Sequence, residues 1–246
     1  MTPLDHLRVV LVSTRNPLNI GAAARAMSNF GFTRLRVVAP YDTAFREARS
    51  AVGAPELLRN AEEFSTIADS VSDCSLVIGT TAVRTRELLH PLKRLEEGSP
   101  LIREHLQTGK AALLFGSEKR GLSNNDLSHC HWLMRIPTAD ANISMNLGQA
   151  VAVCLYELIR ANPPAEGAPA PVSATAESLE RMTAALFEGI AASGYVKRGS
   201  EAASLEKARR LVRRMALNPE DAETWTGAFA KMALALQRNR RNNEGG

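Results

Sequence analysis

The chain has 246 residues, 45% of them hydrophobic and 23% charged, with a formal net charge of +4. Those proportions exclude a fibre and a disordered chain. No apolar run approaches the ~20 residues a membrane span needs, and so small a charge permits a nucleic-acid partner only if it is clustered.

Residues 1–8 have no basic segment leading into an apolar core, so no secretory leader is expected. The first apolar run is 7–12 (LRVVLV), followed by 35–38 (LRVV), 76–80 (LVIGT), 111–116 (AALLFG) and 132–137 (WLMRIP). Short continuous apolar runs suit strands of a parallel sheet buried on both faces. Helical patterns fall between or after them, at roughly 18–30, 99–108 and 146–161, so the order predicts an α/β sandwich. Residues 42–70 read equally well as helix or strand. The three cysteines, Cys74, Cys130 and Cys154, are scattered. They fit neither a disulfide framework nor a CxxC metal site, and they suit a reducing cytoplasm.

Residues 162–171 hold four of the chain's 12 prolines and read as a semi-rigid linker. It separates a first domain, 1–161, from an all-helical one, 172–246. In the latter Leu179, Met182, Leu186 and Ile190 share a helix face. So do Leu205, Ala208, Leu211, Val212 and Met215, and then Trp225, Phe229, Met232 and Leu236. Asn218-Pro219-Glu220-Asp221 is a helix start. The polar, basic tail from residue 237 is expected to fray.

Three segments carry chemistry. The first is NPLNIGAAARA, 16–26, a turn with Gly21 and then a small-residue helix bearing Arg25. Many α/β proteins approach a phosphate this way, but GxGxxG is missing, so a dinucleotide reading is weak. Asn19 is placed to cap the helix or to meet a ligand. The second is LFGSEKRGLS, 114–123, where Gly116 and Gly121 allow unusual turns and close backbone approach. It matches neither a P-loop nor a GxSxG elbow. The third joins Ile136-Pro137, a short polar loop, and SMNLGQA, 144–150, where Ser144 or Asn146 opens an apolar helix.

In order and spacing, NPxNIGAAARAMxNFG, LLFGSEKRGLSN and IP…ISMNLGQAVAVCLYE resemble the three motifs of the knotted RNA methyltransferases of the SPOUT class, SpoU branch. Downstream, SGYVKRGS and ARRLVRRMALNPEDAETWTGAF resemble the helical extension of bacterial enzymes that methylate the ribose 2′-oxygen of cytidine or uridine at tRNA position 32. The resemblance implies a parallel sheet sandwiched by helices with a C-terminal trefoil knot, within about 76–161, plus a small helical domain. It implies S-adenosylmethionine held mostly by backbone at Thr80, Thr81, Ala82, Gly116, Gly121, Ile136, Ser144, Met145 and Leu147. It implies an essential Arg25, with Asn19, Glu118, Ser144 and Asn146 as further polar residues of the catalytic site. Asn19 and Asn146 would align the ribose or Arg25, and Glu118 would orient Arg25 or anchor the second loop. No metal is implied. A cytoplasmic homodimer is implied, with Arg25 near the partner's cofactor pocket and the helix at 150–159 in the interface or buried within one subunit.

The expected RNA surface follows from charge placement. Arg84 and Arg86 follow the third clear strand. On the helix of Leu205 and Leu211, four arginines, Arg209, Arg210, Arg213 and Arg214, lie opposite the apolar stripe, which predicts a basic face for a polyanion. Lys197, Arg198 and Lys207 extend it. Residues 172–246 hold 12 Lys and Arg against 9 Asp and Glu, so +3 of the +4 lies beyond the linker. The alternatives are a 2′-O-methyltransferase for another tRNA position or for rRNA, and a non-catalytic RNA-binding module.

Overall fold

A computed structural model describes residues 3–50, 56–82, 89–139, 143–160 and 172–244. The linker at 162–171, and Arg84 and Arg86, lie outside the described residues. A seven-stranded sheet runs in the order β3-β2-β1-β6-β4-β7-β5. Its strands are β1 (Leu7–Val12), β2 (Leu35–Val38), β3 (Glu62–Phe64), β4 (Leu76–Thr80), β5 (Leu92–Arg94), β6 (Ala111–Phe115) and β7 (Trp132–Arg135). Every neighbouring pair is parallel.

Alternation along β1 shows why its run is apolar on both faces, with Arg8 its one charged residue. Leu7, Val9 and Leu11 enter one core, while Val10 and Val12 enter the other. The first core is covered by α1 (Pro17–Asn29), α2 (Asp42–Ser50), α3 (Glu56–Arg59), α5 (Leu95–His105) and α7 (Leu147–Arg160). The second is covered by α4 (Ile67–Ser70), α6 (Asn124–Ser128) and the first turn of α8 (Ala176–Ala192). Three of the five expected strands have the expected limits, and the other two end one and two residues early. The ambiguous stretch 42–70 resolves into α2, α3, β3 and α4.

After α8 come α9 (Glu201–Arg214) and α10 (Pro219–Glu244). Leu179, Met182, Val212 and Ala222 form their shared core. The helices are tied to the sheet layer, because Ala176 N donates to Cys74 O at 2.6 Å and Glu177 N to Ser72 O at 3.1 Å. Asn218 caps α10 as expected, accepting from Asp221 N at 2.8 Å. The expected frayed tail is corrected: α10 continues to Glu244. Among the described residues no helix is long and apolar enough to cross a membrane.

Candidate active site

Parallel strands put all their C-terminal ends on one edge, where open α/β sheets bind ligands. Strands β6, β4 and β7 are neighbours, so the segments after them converge there. Thr80 Oγ1 donates to Leu114 O at 2.8 Å, and Thr81 N donates to Met134 O at 3.0 Å. Gly116 then leaves β6 into a turn closed by Gly121 N donating to Ser117 O at 2.7 Å. A Cβ on Gly116 would lie 2.1 Å from Gly121 C, and Gly121 has φ +65°, so both positions require glycine. After β7, Ile136 packs on the first core. Ser144 is exposed, Met145 half-buried and Leu147 buried.

One polar chain ties the three motifs together. Asn19 Nδ2 donates to Glu118 Oε1 at 3.1 Å, and Asn146 Nδ2 donates to Asn19 Oδ1 at 2.7 Å. Glu118 also accepts from Asn16 N at 3.3 Å and Arg15 N at 3.4 Å. Asn146 Oδ1 takes Gly148 N at 2.9 Å, so Asn146, not Ser144, opens α7. Asn19 is not the cap of α1. That role falls to Asn16, whose side chain accepts from Leu18 N at 2.9 Å. Asn19 is thereby free to bridge two loops.

Arg25 stands apart from this chain. It is exposed on α1 and has no hydrogen-bond or ion-pair partner among the described residues. Glu118 is bonded to the first motif and not to Arg25. Of the two expected readings of the apolar helix α7, the structure shows burial within one subunit. Val151, Cys154, Leu155 and Leu158 are buried in the subunit, while Tyr156 and Ile159 are 51% and 41% exposed.

Sequence reasoning missed Gly148. A Cβ there would lie 2.6 Å from Ala22 Cβ, so glycine lets α7 approach α1 closely enough for Asn146 to reach Asn19. The facing small residues of AAAR and NLGQA were the available signal.

The basic face of α9 is corrected. Arg209 and Arg213 are buried and point inward. Arg209 Nε donates to Glu180 Oε1 at 3.0 Å, and its Nη1 donates to Ser128 Oγ at 2.9 Å. Arg213 donates to His129 O, Ala176 O and Glu180 Oε2, each at 3.3 Å. Burial pulls the Arg213 guanidinium down to about 10, with Glu180 opposing the shift and Arg209 adding to it. It is still a cation at neutral pH. The helix lies between α8 and α6, so two of its sides are covered, and Leu211 is left 47% exposed. Arg210 pairs with Glu206 at 3.4 Å, while Arg214 and Lys207 are exposed.

The profile of the SpoU rRNA Methylase family matches residues 6–156. The tRNA (cytidine/uridine/adenosine-2′-O-)-methyltransferase TrmJ of Pseudomonas aeruginosa is 35% identical over 87% of this chain and 89% of its own length. The tRNA (cytidine/uridine-2′-O-)-methyltransferase TrmJ of Sodalis glossinidius is also 35% identical, over 89% of this chain and 88% of its own. The crystal structure of TrmJ from Z. mobilis ZM4 superposes with a TM-score of 0.78 at 32% identity, covering 92% of this chain and 98% of that one. The converging strand ends, the paired glycines and the three-motif polar chain thus coincide with a family match over most of the sheet layer, and the chain belongs to the SpoU methylase family, whose members are methyltransferases that use S-adenosylmethionine.

Proposed function

We propose that this protein methylates the ribose 2′-oxygen of cytidine or uridine at position 32 of the tRNA anticodon loop. The observation that carries the reading is the Glu118–Asn19–Asn146 chain, which holds three loops together at the ligand-binding edge of the sheet. The relatives that align over 87% and 89% of this chain, well beyond the share matched by the family profile, are tRNA enzymes by name, which favours tRNA over the rRNA in the family's description. The catalytic unit is 1–161, and 172–246 is its RNA-binding extension, joined by 162–171. The setting is cytoplasmic.

The residues present fit S-adenosylmethionine. Thr80, Thr81, Ala82, Gly116, Gly121, Ile136, Ser144, Met145 and Leu147 supply strand-end backbone, one turn with two Cβ-free positions and apolar contact for a base. When bound, the sulfonium supplies an activated methyl group. The chain's task is to orient and deprotonate a hydroxyl, which is a weak nucleophile until its proton leaves. Arg25 is not a simple base, since a guanidinium is effectively always protonated. It orients the hydroxyl through an adjacent phosphate, which takes the proton. Asn19 and Asn146 position the first and third motifs, Glu118 anchors the second, and Ser144 contacts the hydroxyl or the methionine moiety.

Two further readings belong here. The trefoil knot is supported by the strand order, in which β7, later in sequence, lies between β4 and β5. A homodimer that brings Arg25 to the partner's cofactor pocket is supported by Arg25 being exposed, together with Leu18, Tyr156 and Ile159 on α1 and α7. For RNA, the exposed residues Arg214, Lys207, Lys197 and Arg198, with the largely covered Arg210, join Arg84 and Arg86, while the buried Arg209 and Arg213 are withdrawn.

The test is transfer of label from S-adenosylmethionine to unmodified tRNA, followed by mapping of the 2′-O-methyl group, on tRNAs carrying each of the four bases at position 32. Methylation at position 32 with pyrimidines preferred is expected. Methylation elsewhere overturns the position, and transfer to rRNA alone overturns the substrate.

A further inference from the structure

We infer that Arg209 and Arg213 are positioning residues for the cofactor loop: α9 is a strut that holds α6, and through α6 the 116–121 turn. The inference rests on the reading that this turn holds S-adenosylmethionine.

The path is short and continuous. Gly121 ends the turn, Leu122 is buried, and Ser123 caps α6 by accepting from Asp126 N at 3.1 Å while its own N donates to Asp126 Oδ2 at 2.7 Å. Five residues of helix follow. An isolated helix of that length has no stability of its own, so tertiary contacts must hold it. From inside, Leu122, Leu127 and Cys130 belong to the second core. From outside, the contacts are the two arginines. Arg209 grips Ser128, whose Oγ donates to Asn125 O at 2.7 Å, and Arg213 takes the carbonyl of His129 just past the helix end. Cations at a helix C-terminus complement the orphan carbonyls there. Glu180 of α8 faces both guanidinium groups and neutralises part of their charge.

The same short helix also underlies the other cofactor strand. A Cβ on Gly79 would lie 2.9 Å from Cys130 Sγ and 3.0 Å from Leu127 Cδ2, so 127–130 is packed tightly against β4 immediately before Thr80. A shift of α6 therefore reaches both the 116–121 turn and the 80–82 segment. The other side of α9 carries exposed Arg214 and Lys207. One helix thus has an inward face that sets the cofactor loop and an outward face open to a polyanion. In a modular enzyme the two jobs would fall on separate elements.

The experiment uses the full chain without RNA. S-adenosylmethionine affinity is measured by calorimetry, and amide exchange of 117–123 is followed in the free protein. Arg209→Met and Arg213→Met should each weaken binding by ~5-fold or more and speed exchange in the turn, with Arg209→Lys recovering part of both, because a cation is restored without the fork. Ser128→Ala removes one partner of Arg209 without leaving a charge stranded in the core. It should give a smaller loss in the same direction, and it keeps the inference testable if an arginine variant does not fold. Gly116→Ala is the reference for the underlying reading, because its Cβ would collide with Gly121. If Gly116→Ala abolishes binding while Ser128→Ala and the folded arginine variants stay within twofold of the parent protein, the strut is overturned and the loop assignment stands. If Gly116→Ala binds normally, the loop assignment itself is overturned.

Discussion

The two edges of the sheet are built on opposite principles. At the N-terminal edge charges are collected and satisfied. Asp73, just before β4, takes Arg36 at 2.6 Å, Lys110 at 3.1 Å and Arg8 at 3.2 Å. Burial works against the Asp73 carboxylate, but hydrogen bonds and charge from Arg36, Lys110 and Arg8 outweigh it and hold the group well below the ordinary carboxylate range. The C-terminal edge gathers the amides of Asn19 and Asn146, bare glycines and the Glu118 carboxylate, and among the described residues Arg25 of α1 has no hydrogen-bond or ion-pair partner. A carboxylate already shared by three cations has little to offer a ligand. The edge with a cation held in reserve is where a phosphate can be met.

Acid should break the first edge most. His90, His129 and His131 lie there, before β5 and β7. Burial, followed by the charges of nearby α9 arginines, lowers His90 to about 4 and both His129 and His131 to about 3. His131 Nδ1 accepts from Val77 N at 3.0 Å, so that nitrogen carries no proton. Each group titrates near 6.5 when unfolded, so below that pH the unfolded chain binds more protons than the folded one. Stability is complete above about pH 6.5 and is lost as pH falls towards the folded values, by on the order of 1–2 kcal/mol per histidine by pH 5. Urea unfolding across pH 7 to 5 should show this fall, and a flat profile would refute neutral histidines.

Arg25→Ala should break the second edge alone. Turnover on tRNA should drop ~100-fold or more, the scale of a lost transition-state contact. S-adenosylmethionine affinity by calorimetry should stay within about twofold, since Arg25 is assigned to the hydroxyl and its phosphate, not to holding the cofactor. Lost cofactor binding would make Arg25 a cofactor-holding residue instead. The opposite dissociation is expected of Asp73→Asn. It strands three cations, one of them partly exposed, and should cost about 2 kcal/mol in urea unfolding while cofactor affinity per folded molecule is unchanged.

What was legible in the sequence divides along similar lines. Strands β1, β2 and β4 were readable to the residue because burial on both faces writes a dense apolar run, broken only by Arg8 in β1 and Arg36 in β2 and ending at Thr80 in β4. Strands β3 (EEF) and β5 (LKR) are three-residue edges with no buried residue, so no run exists to be read. Arg209 and Arg213 were misplaced for a related reason. A helical wheel separates apolar from charged positions, but it cannot say that Glu180, 29 residues away, makes the charged side a second interior face. At the site, the residue types of Asn19, Glu118 and Asn146 were visible in their motifs. Their mutual bonding was not, because it spans sequence separations of 99 and 127 residues. The small-residue contact of Gly148 with Ala22 that makes it possible depends on how two helices cross, which local spacing does not encode.

The smallest expected effect probes that bonding directly. Glu118 receives three N–H donors, two from backbone and one from Asn19, on two carboxylate oxygens. Glu118→Gln keeps the length but replaces one acceptor oxygen by an NH2 that confronts donors, so at least one of the three bonds must be lost. The site is exposed, so global stability should move by less than about 1 kcal/mol. The second motif would be held less tightly against the first, and kcat on tRNA should fall ~10-fold with KM changing less, the mark of lost alignment in the transition state. Glu118→Ala should fall further, because no acceptor remains. Equal activity of Glu118, Gln and Ala enzymes would show that the three loops stay aligned without this carboxylate, and the contrast between a pinned edge and a poised one would then rest on Arg25 alone.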